Sequence, residues 1–203
     1  MAPTHHDVEI RTASIHDLAP VALALSRAFY DDPVFAWGLP DPDRRREVLP
    51  GFFTLFAGAF QRHGHVHRTA DGTGAALWVP PGVAPVGDDE ADAFGAALQE
   101  VVGPDAERTF IISELLDENL PHEPVWYLNF VGVEPAGQGR GVGSALLEQV
   151  LGEADRNAEP AYLDATSMRS RRLYERHGFE TTRELRVPDG PPIWPMWREP
   201  QRR

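Results

Sequence analysis

The 203-residue chain contains no cysteine, and its Lys+Arg total of 19 consists entirely of arginine. The absence of cysteine excludes disulfides, thiolate nucleophiles and zinc sites built on thiolates, and it fits a reducing cytoplasm. The absence of lysine excludes Schiff-base lysines and the phosphate-binding lysine of P-loop enzymes. The absence of these two residue types therefore excludes several classes of enzyme.

Positive charge and long apolar runs are also scarce. The formal net charge is −12, whereas nucleic-acid binding needs a basic surface, so we expect no nucleic-acid partner. The longest apolar stretch, residues 51–60, is far shorter than the roughly 20 residues that span a membrane. The N-terminus has no apolar signal-peptide core. We therefore expect a cytoplasmic protein with no membrane partner, whose acidic surface suits neutral or cationic substrates.

The first half of the chain combines helical patterns with one hairpin. A strand is predicted at residues 8–13, and Asp71-Gly72 is a strong turn signal between two further strands. Pro50 is predicted to break or kink the second helical stretch. The helical stretches are predicted at 14–33, 41–64 and 104–124, the last bounded by prolines, and the hairpin strands at 65–70 and 73–80.

The second half alternates strands and helices. The predicted order is a strand at 124–135, a helix at 139–158, a strand at 161–167, a helix at 168–178 and two terminal strands joined around residues 188–190. A strand–helix–strand order implies that the strands at 124–135 and 161–167 pair in parallel. With the antiparallel hairpin before them and antiparallel strands after them, the sheet is predicted to be mixed.

A glycine-rich turn follows the strand at 124–135 and opens the next helix. Its alternate glycines are Gly137, Gly139, Gly141 and Gly143. The spacing fits neither a P-loop nor a dinucleotide fingerprint, but it fits Gln-x-x-Gly-x-Gly beginning at Gln138. Free N–H groups at a helix N-terminus bind anions such as a pyrophosphate, and Arg140 can add a charge-assisted contact. The alternative is a tight strand-to-helix turn without a ligand.

A second motif, Leu-Tyr-x-x-x-Gly-Phe, ends the next helix and contains Tyr174 and Phe179. The two motifs in this order resemble the GNAT superfamily of acetyl-CoA-dependent N-acetyltransferases. Within that superfamily, residues 123–147, 160–180 and 187–200 are most similar to the puromycin N-acetyltransferase group.

This resemblance implies an α/β (α+β) fold with a mixed, mostly antiparallel central sheet, a splayed parallel strand pair and flanking helices. It also implies a single N-acetyltransferase domain over residues 1–203. Residues 7–120 would form the acceptor side and residues 124–203 the acetyl-CoA-binding side. The expected cosubstrate is acetyl-CoA without a metal, and the expected state is a monomer or a homodimer.

The resemblance assigns coenzyme A to the glycine turn and to the strand before it. Pantetheine amides would pair with main chain near Val131 and Val133, where an N–H could also face the thioester oxygen. Gly132 fits either a close backbone approach or a bulge. The predicted cofactor-binding residues are Val131, Gly132, Val133, Gln138, Gly139, Arg140, Gly141, Val142, Gly143, Ser144 and Ser170. Ser170 stands where relatives often carry asparagine, so its contact with pantetheine would have a shorter reach.

Two residues are predicted to carry the chemistry. The resemblance places Tyr174 near the thioester sulfur, where its phenol would protonate the leaving thiolate; packing of its ring against Phe179 is the alternative. Asp164 is the predicted base, acting directly, through a water or by orienting the amine, and relatives tend to have glutamate there. Tyr127 and Asn129 share a strand face near the cleft, and structural and functional roles for them stay open.

The expected function is transfer of an acetyl group from acetyl-CoA to a primary amine of a small molecule, by direct attack on the thioester. An aminonucleoside or a similar antibiotic is the narrower expectation, which would make the enzyme one of antibiotic resistance. The alternatives are an acetyltransferase acting on a protein N-terminus or lysine, and a non-catalytic coenzyme A-binding sensor.

Three alternating histidines, His63, His65 and His67, have the spacing of metal ligands on one strand face. No acidic or cysteine partner stands beside them. We therefore predict a solvated strand face and no metal, with a role in acceptor binding or as a base left as the alternative.

Overall fold

A computed structural model describes residues 8–201. Residues 1–7, the start of the segment predicted to lack an export signal, and residues 202–203 lie outside the described range. The described residues contain eight strands: β1 (Ile10–Thr12), β2 (Val66–Thr69), β3 (Gly74–Val79), β4 (Trp126–Val133), β5 (Ala161–Ala165), β6 (Glu180–Thr181), β7 (Leu185–Arg186) and β8 (Pro192–Arg198). They form one sheet in the order β1-β2-β3-β4-β5-β8-β6, and β7 pairs with β8.

The helices lie before and between these strands. They are α1 (Leu18–Phe29), α2 (Pro33–Gly38), α3 (Pro42–Gln61), α4 (Ala91–Val102), α5 (Ala106–Asp117), α6 (Val142–Asn157) and α7 (Met168–Arg176). Short 3-10 turns occupy Ile15–Asp17, Gly103–Asp105 and Pro135–Gly137. Within residues 8–201, no helix is both long and apolar enough to cross a membrane.

Helix α3 runs through Pro50 without interruption, so the predicted break is wrong. Proline removes one helical hydrogen bond. The side chains next to Pro50 nevertheless remain buried against the sheet: Leu49 precedes the proline, and Phe52 and Phe53 follow it. Burial of this apolar surface outweighs the missing bond.

The sheet is covered on both faces. In β3 all six residues are buried, and successive side chains alternate between two cores, as strand geometry requires. One core joins Leu77 to buried side chains of α1, α3 and α4. The other joins Trp78 to buried side chains of α6 and α7. We call these the α1/α3 face and the α6/α7 face.

The predicted fold class is confirmed. Every strand pairing is antiparallel except that of β4 with β5, which is parallel. This parallel pairing covers only Trp126↔Ala161, Tyr127↔Tyr162 and Leu128↔Leu163. Beyond it, the remaining residues of β4 and β5 do not pair with each other, so the two strands splay apart toward their C-terminal ends. The opening lies directly before the glycine turn.

Candidate active site

The glycine turn presents a run of free N–H groups. Gly139 and Gly141 have positive φ values of +78° and +83°, where a side chain would strain the backbone. The first backbone hydrogen bond of α6 runs from the Ala145 N–H to the Gly141 carbonyl, at 3.0 Å. Within residues 8–201, no hydrogen bond is made by the N–H groups of residues 139–144. We call these six groups the amide cradle.

Charges around the amide cradle favour an anion. The positive end of the helix dipole and the free N–H groups lie together at the start of α6. Arg140 is exposed, and its side chain makes no hydrogen bond or ion pair with the described residues. Glu134, at the end of β4, is paired with Arg27 at 2.7 Å, which offsets its negative charge. The local chemistry therefore suits a phosphate or a pyrophosphate.

Three of the predicted cofactor residues use their side chains to hold the protein itself. The Gln138 side chain donates to the Val133 carbonyl at 2.8 Å, which fixes the turn onto the end of β4. Ser144 Oγ lies 3.0 Å from His177 Nε2. Ser170 Oγ donates to the Ser167 carbonyl at 2.9 Å, within the capping box of α7. The backbone N–H of Gln138 donates to the Pro135 carbonyl and that of Ser170 to Ser167 Oγ, so among these three residues only Ser144 keeps an N–H without a partner in the described residues.

The splayed edge of β4 carries Val131 and Val133, the predicted pantetheine strand. A β-bulge lies in this strand, where Leu77 opposes Phe130 but Trp78 opposes Leu128, so Asn129 is the extra residue. The bulge is therefore not at Gly132. A Cβ on Gly132 would lie 2.7 Å from the Cβ of Ala28, so the close backbone approach that requires glycine is to α1.

Asp164 lies in β5 next to the point where the strands part. Its two carboxylate oxygens accept hydrogen bonds from the hydroxyls of Tyr162, at 2.9 Å, and Tyr127, at 3.3 Å. Burial raises the pKa of Asp164 to about 6, and the two tyrosine hydrogen bonds and Arg183 oppose that rise. A carboxylate with such a pKa is ionised at neutral pH and can still accept a proton.

The surroundings of Asp164 include groups that sequence reasoning missed. Tyr162 is two residues before Asp164, so the period of the strand places both on one face. Arg183 donates to the carbonyl of Asn119, just after α5, and the Asp117 charge at the end of α5 contributes to raising the pKa of Tyr127. These contacts join distant segments, and no local pattern signals them.

Asn129 and a group of phenylalanine rings adjoin this polar cluster. The Asn129 Oδ1 atom is buried without a hydrogen-bond partner among the described residues. The next residue, Phe130, has five rings within 5.2 to 6.3 Å between centroids: Phe29, Phe35, Phe52, Phe53 and Phe56. Several of these rings are only partly buried. They form an apolar wall on the α1/α3 face, which is also the face of Tyr127.

Tyr174 has the packing contact that was the alternative for it, and its role as a proton donor stays a prediction. Its ring packs edge-on against Phe179 with centroids 6.1 Å apart, and the side chain is 7% exposed. Burial, with a smaller contribution from the Asp32 charge, raises the pKa of the Tyr174 phenol. The hydroxyl therefore stays protonated through the neutral range and can donate to a developing thiolate, although the raised pKa makes it a weaker acid.

Asp32 is an acidic residue of this region for which the sequence predicted only the end of a helix. It is the N-cap of α2: its Oδ1 accepts from the N–H of Val34 at 2.9 Å and of Phe35 at 3.3 Å. Its Oδ2 accepts a short hydrogen bond from Thr166, directly after β5. The Asp-Pro pair could have signalled a helix start, but nothing local signals the contact across 134 positions.

The histidines lie away from this cluster. His63 is in the turn before β2, and His65 packs against Trp126 with ring centroids 4.8 Å apart. Trp126 belongs to the α6/α7 face, opposite to Tyr127. His67 is 5% exposed, and neither ring nitrogen has a hydrogen-bond partner among the described residues. The prediction of a solvated strand face is therefore wrong, because this face is covered by α6.

The geometry matches a known class of enzyme. Residues 99–181 match the family model described as an acetyltransferase (GNAT) domain. This stretch contains the amide cradle, β4, β5 and Tyr174. This match and the relatives below support an acetyltransferase domain of the GNAT type over this stretch, and the chain is an acyltransferase.

Individual relatives agree with this class. An uncharacterized N-acetyltransferase of Schizosaccharomyces pombe is 27% identical over 207 residues, covering 91% of this chain and 81% of that protein. A crystal structure described as histone acetyltransferase HPA2 and related acetyltransferase, from Corynebacterium glutamicum, is 28% identical. It covers 97% of this chain and 98% of that chain, with a TM-score of 0.71.

A polyamine N-acetyltransferase of Drosophila melanogaster, which forms N-acetylagmatine, shares the fold with a TM-score of 0.68. It is 16% identical and covers 95% of this chain and 100% of that one.

Proposed function

We propose that this chain transfers the acetyl group of acetyl-CoA to a primary amine of a small molecule. The observation that carries the proposal is the amide cradle, six consecutive free N–H groups directly beyond the open edge of β4. A helix N-terminus of this kind can bind phosphate groups, so the amide cradle would hold the diphosphate of coenzyme A. The main chain of β4 near Val131 and Val133 would pair with pantetheine. One domain over residues 1–203 would comprise an acceptor side (7–120) and a coenzyme side (124–203).

In the proposed reaction, Asp164 accepts a proton from the amine and Tyr174 donates a proton to the leaving sulfur. The thioester supplies an activated acyl carbon. Asp164, ionised above a pKa of about 6, takes one proton from the ammonium, and the freed amine forms the new C–N bond. As the C–S bond breaks, Tyr174 donates its hydroxyl proton to the sulfur. The second proton of the amine restores the phenol, so one proton in total leaves through Asp164.

The acceptor-side groups support an amine with an apolar body. The partly buried rings around Phe130 supply apolar contact next to the carboxylate of Asp164. An aminonucleoside antibiotic such as puromycin combines a primary amine with aromatic groups, so antibiotic resistance remains part of the proposal. A basic peptide acceptor is the second candidate, favoured by the net charge of −12.

A thiol-release assay tests the proposal. The chain has no cysteine, so it adds no background to a thiol-detecting reagent. The protein is incubated with acetyl-CoA and puromycin, agmatine, 2-phenylethylamine or a basic peptide. Thiol release with one of the three small amines supports the proposal, whereas release with the peptide alone favours the second candidate. Binding of acetyl-CoA without release across the panel would indicate a sensor and would contradict the proposed function.

A further inference from the structure

Asp32 is a half-buried carboxylate that lacks a positive partner. Its hydrogen-bond donors are neutral: the N–H groups of Val34 and Phe35 and the hydroxyl of Thr166. Within residues 8–201, no arginine or histidine forms an ion pair with it. Burial without a countercharge disfavours an ionised carboxylate, and the pKa of Asp32 is accordingly raised.

The position of Asp32 connects it to the proposed chemistry. Thr166, which donates to Asp32, stands two residues after Asp164. At the rise of a strand, that spacing corresponds to about 7 Å. The Asp32 charge also acts on the phenol of Tyr174, whose pKa it helps to raise. Asp32 is therefore held against the end of β5, just past Asp164, and its charge reaches Tyr174.

On the basis of the proposed function, we propose that Asp32 binds the ammonium group of the acceptor and positions it between Asp164 and Tyr174. A carboxylate offers about four lone-pair directions, and three are used by Val34, Phe35 and Thr166. The fourth can accept an N–H of an ammonium, which would supply the missing countercharge. In this arrangement Asp32 holds the amine, and Asp164 removes its proton.

Capping of α2 alone does not account for an aspartate here. Asparagine caps a helix about as well as aspartate, and its side-chain oxygen could accept the same two N–H bonds. The amide nitrogen of asparagine could in turn donate to the Thr166 hydroxyl. The substitution Asp32→Asn therefore removes the charge while it retains the local hydrogen bonds. Asp31→Asn is a matched control, because Asp31 is the neighbouring, exposed aspartate.

The experiment measures acceptor affinity in these two variants. The probe is whichever of puromycin, agmatine and 2-phenylethylamine the wild-type protein acetylates fastest. Loss of a charge-assisted hydrogen bond predicts that Asp32→Asn raises the KM for this amine about tenfold or more. The KM for acetyl-CoA should stay within about twofold of wild type, and Asp31→Asn should change neither KM. Calorimetric titration of the amine into the complex with free coenzyme A should show the same loss without turnover.

Three results would overturn the proposal. One is an unchanged amine affinity in Asp32→Asn. Another is an equal loss in Asp31→Asn, which would indicate a general charge effect. The third is loss of the acidic limb of kcat with unchanged amine affinity, which would make Asp32 the proton acceptor. Failure of the wild-type protein to acetylate any amine would instead contradict the proposed function itself, so the two failures are distinguishable.

Discussion

Replacement of Asp164 by asparagine should remove activity and at the same time stabilise the fold. The pKa of Asp164 is raised from 3.8 to about 6, a difference of about 2 units, which corresponds to about 3 kcal/mol. Because the folded-state pKa is the higher one, the fold favours the protonated form. That favourable contribution is complete below about pH 4 and is lost as the pH rises through about 6. At pH 7.5, ionised Asp164 therefore costs stability, and a neutral side chain avoids the cost.

Urea unfolding of the wild type and of Asp164→Asn measures this difference. With a slope of about 2–3 kcal/mol per molar urea, 3 kcal/mol predicts a midpoint higher by about 1–1.5 M at pH 7.5. At pH 4 the two midpoints should nearly coincide, because Asp164 is then protonated in the folded protein. The acidic limb of kcat/KM, centred near pH 6 in the wild type, should disappear along with most of the activity. Asp31→Asn serves as the control for a change of net charge.

Two outcomes would refute this reasoning. A lower urea midpoint for Asp164→Asn at pH 7.5 would show that the carboxylate is stabilised by its surroundings. An active variant that keeps the acidic limb would show that another group titrates near pH 6 and that Asp164 is not the base.

Three further predictions follow from single contacts. Tyr174→Phe should lower kcat at least about tenfold in the thiol-release assay, because loss of a proton donor costs at least that much. The affinity for acetyl-CoA should change little. An unchanged kcat would exclude Tyr174 as the acid. Tyr162→Phe removes a hydrogen bond that lowers the pKa of Asp164, so the acidic limb of kcat/KM should move to higher pH, and a limb that stays in place would contradict this role. Gly132→Ala should cost about 1–3 kcal/mol of unfolding free energy, because its Cβ would lie 2.7 Å from that of Ala28. Gly58→Ala in α3, with no atom within 4 Å, should cost nothing by the same urea assay.

The sequence predicted the features that depend on neighbouring residues. The hairpin at Asp71-Gly72, the strand–helix–strand order and the glycine turn are all set by contiguous letters, and the structure contains each of them. The parallel pair follows from the length of the connection between β4 and β5. The amide cradle was predictable because the start of a helix always leaves N–H groups unpaired.

The remaining features depend on contacts between distant segments. The pairing of Asp32 with Thr166 spans 134 positions, and the burial of His67 depends on which helix covers its face of the sheet. Pro50 was expected to break or kink a helix, but the helix continues through it because tertiary packing on both sides prevails over local propensity. At Gly132 the close approach that the structure shows is that of α1, which the sequence did not predict, and its contact with coenzyme A stays a prediction.

The central claim is that the N–H groups of residues 139–144 hold the diphosphate of coenzyme A, and a crystal structure of the complex with coenzyme A tests it most directly. We expect diphosphate oxygens within about 3 Å of several of these nitrogens, with the pantetheine chain lying along β4 between residues 129 and 133. A diphosphate bound elsewhere, with the amide cradle in contact only with solvent, would contradict the claim and the mechanism that depends on it.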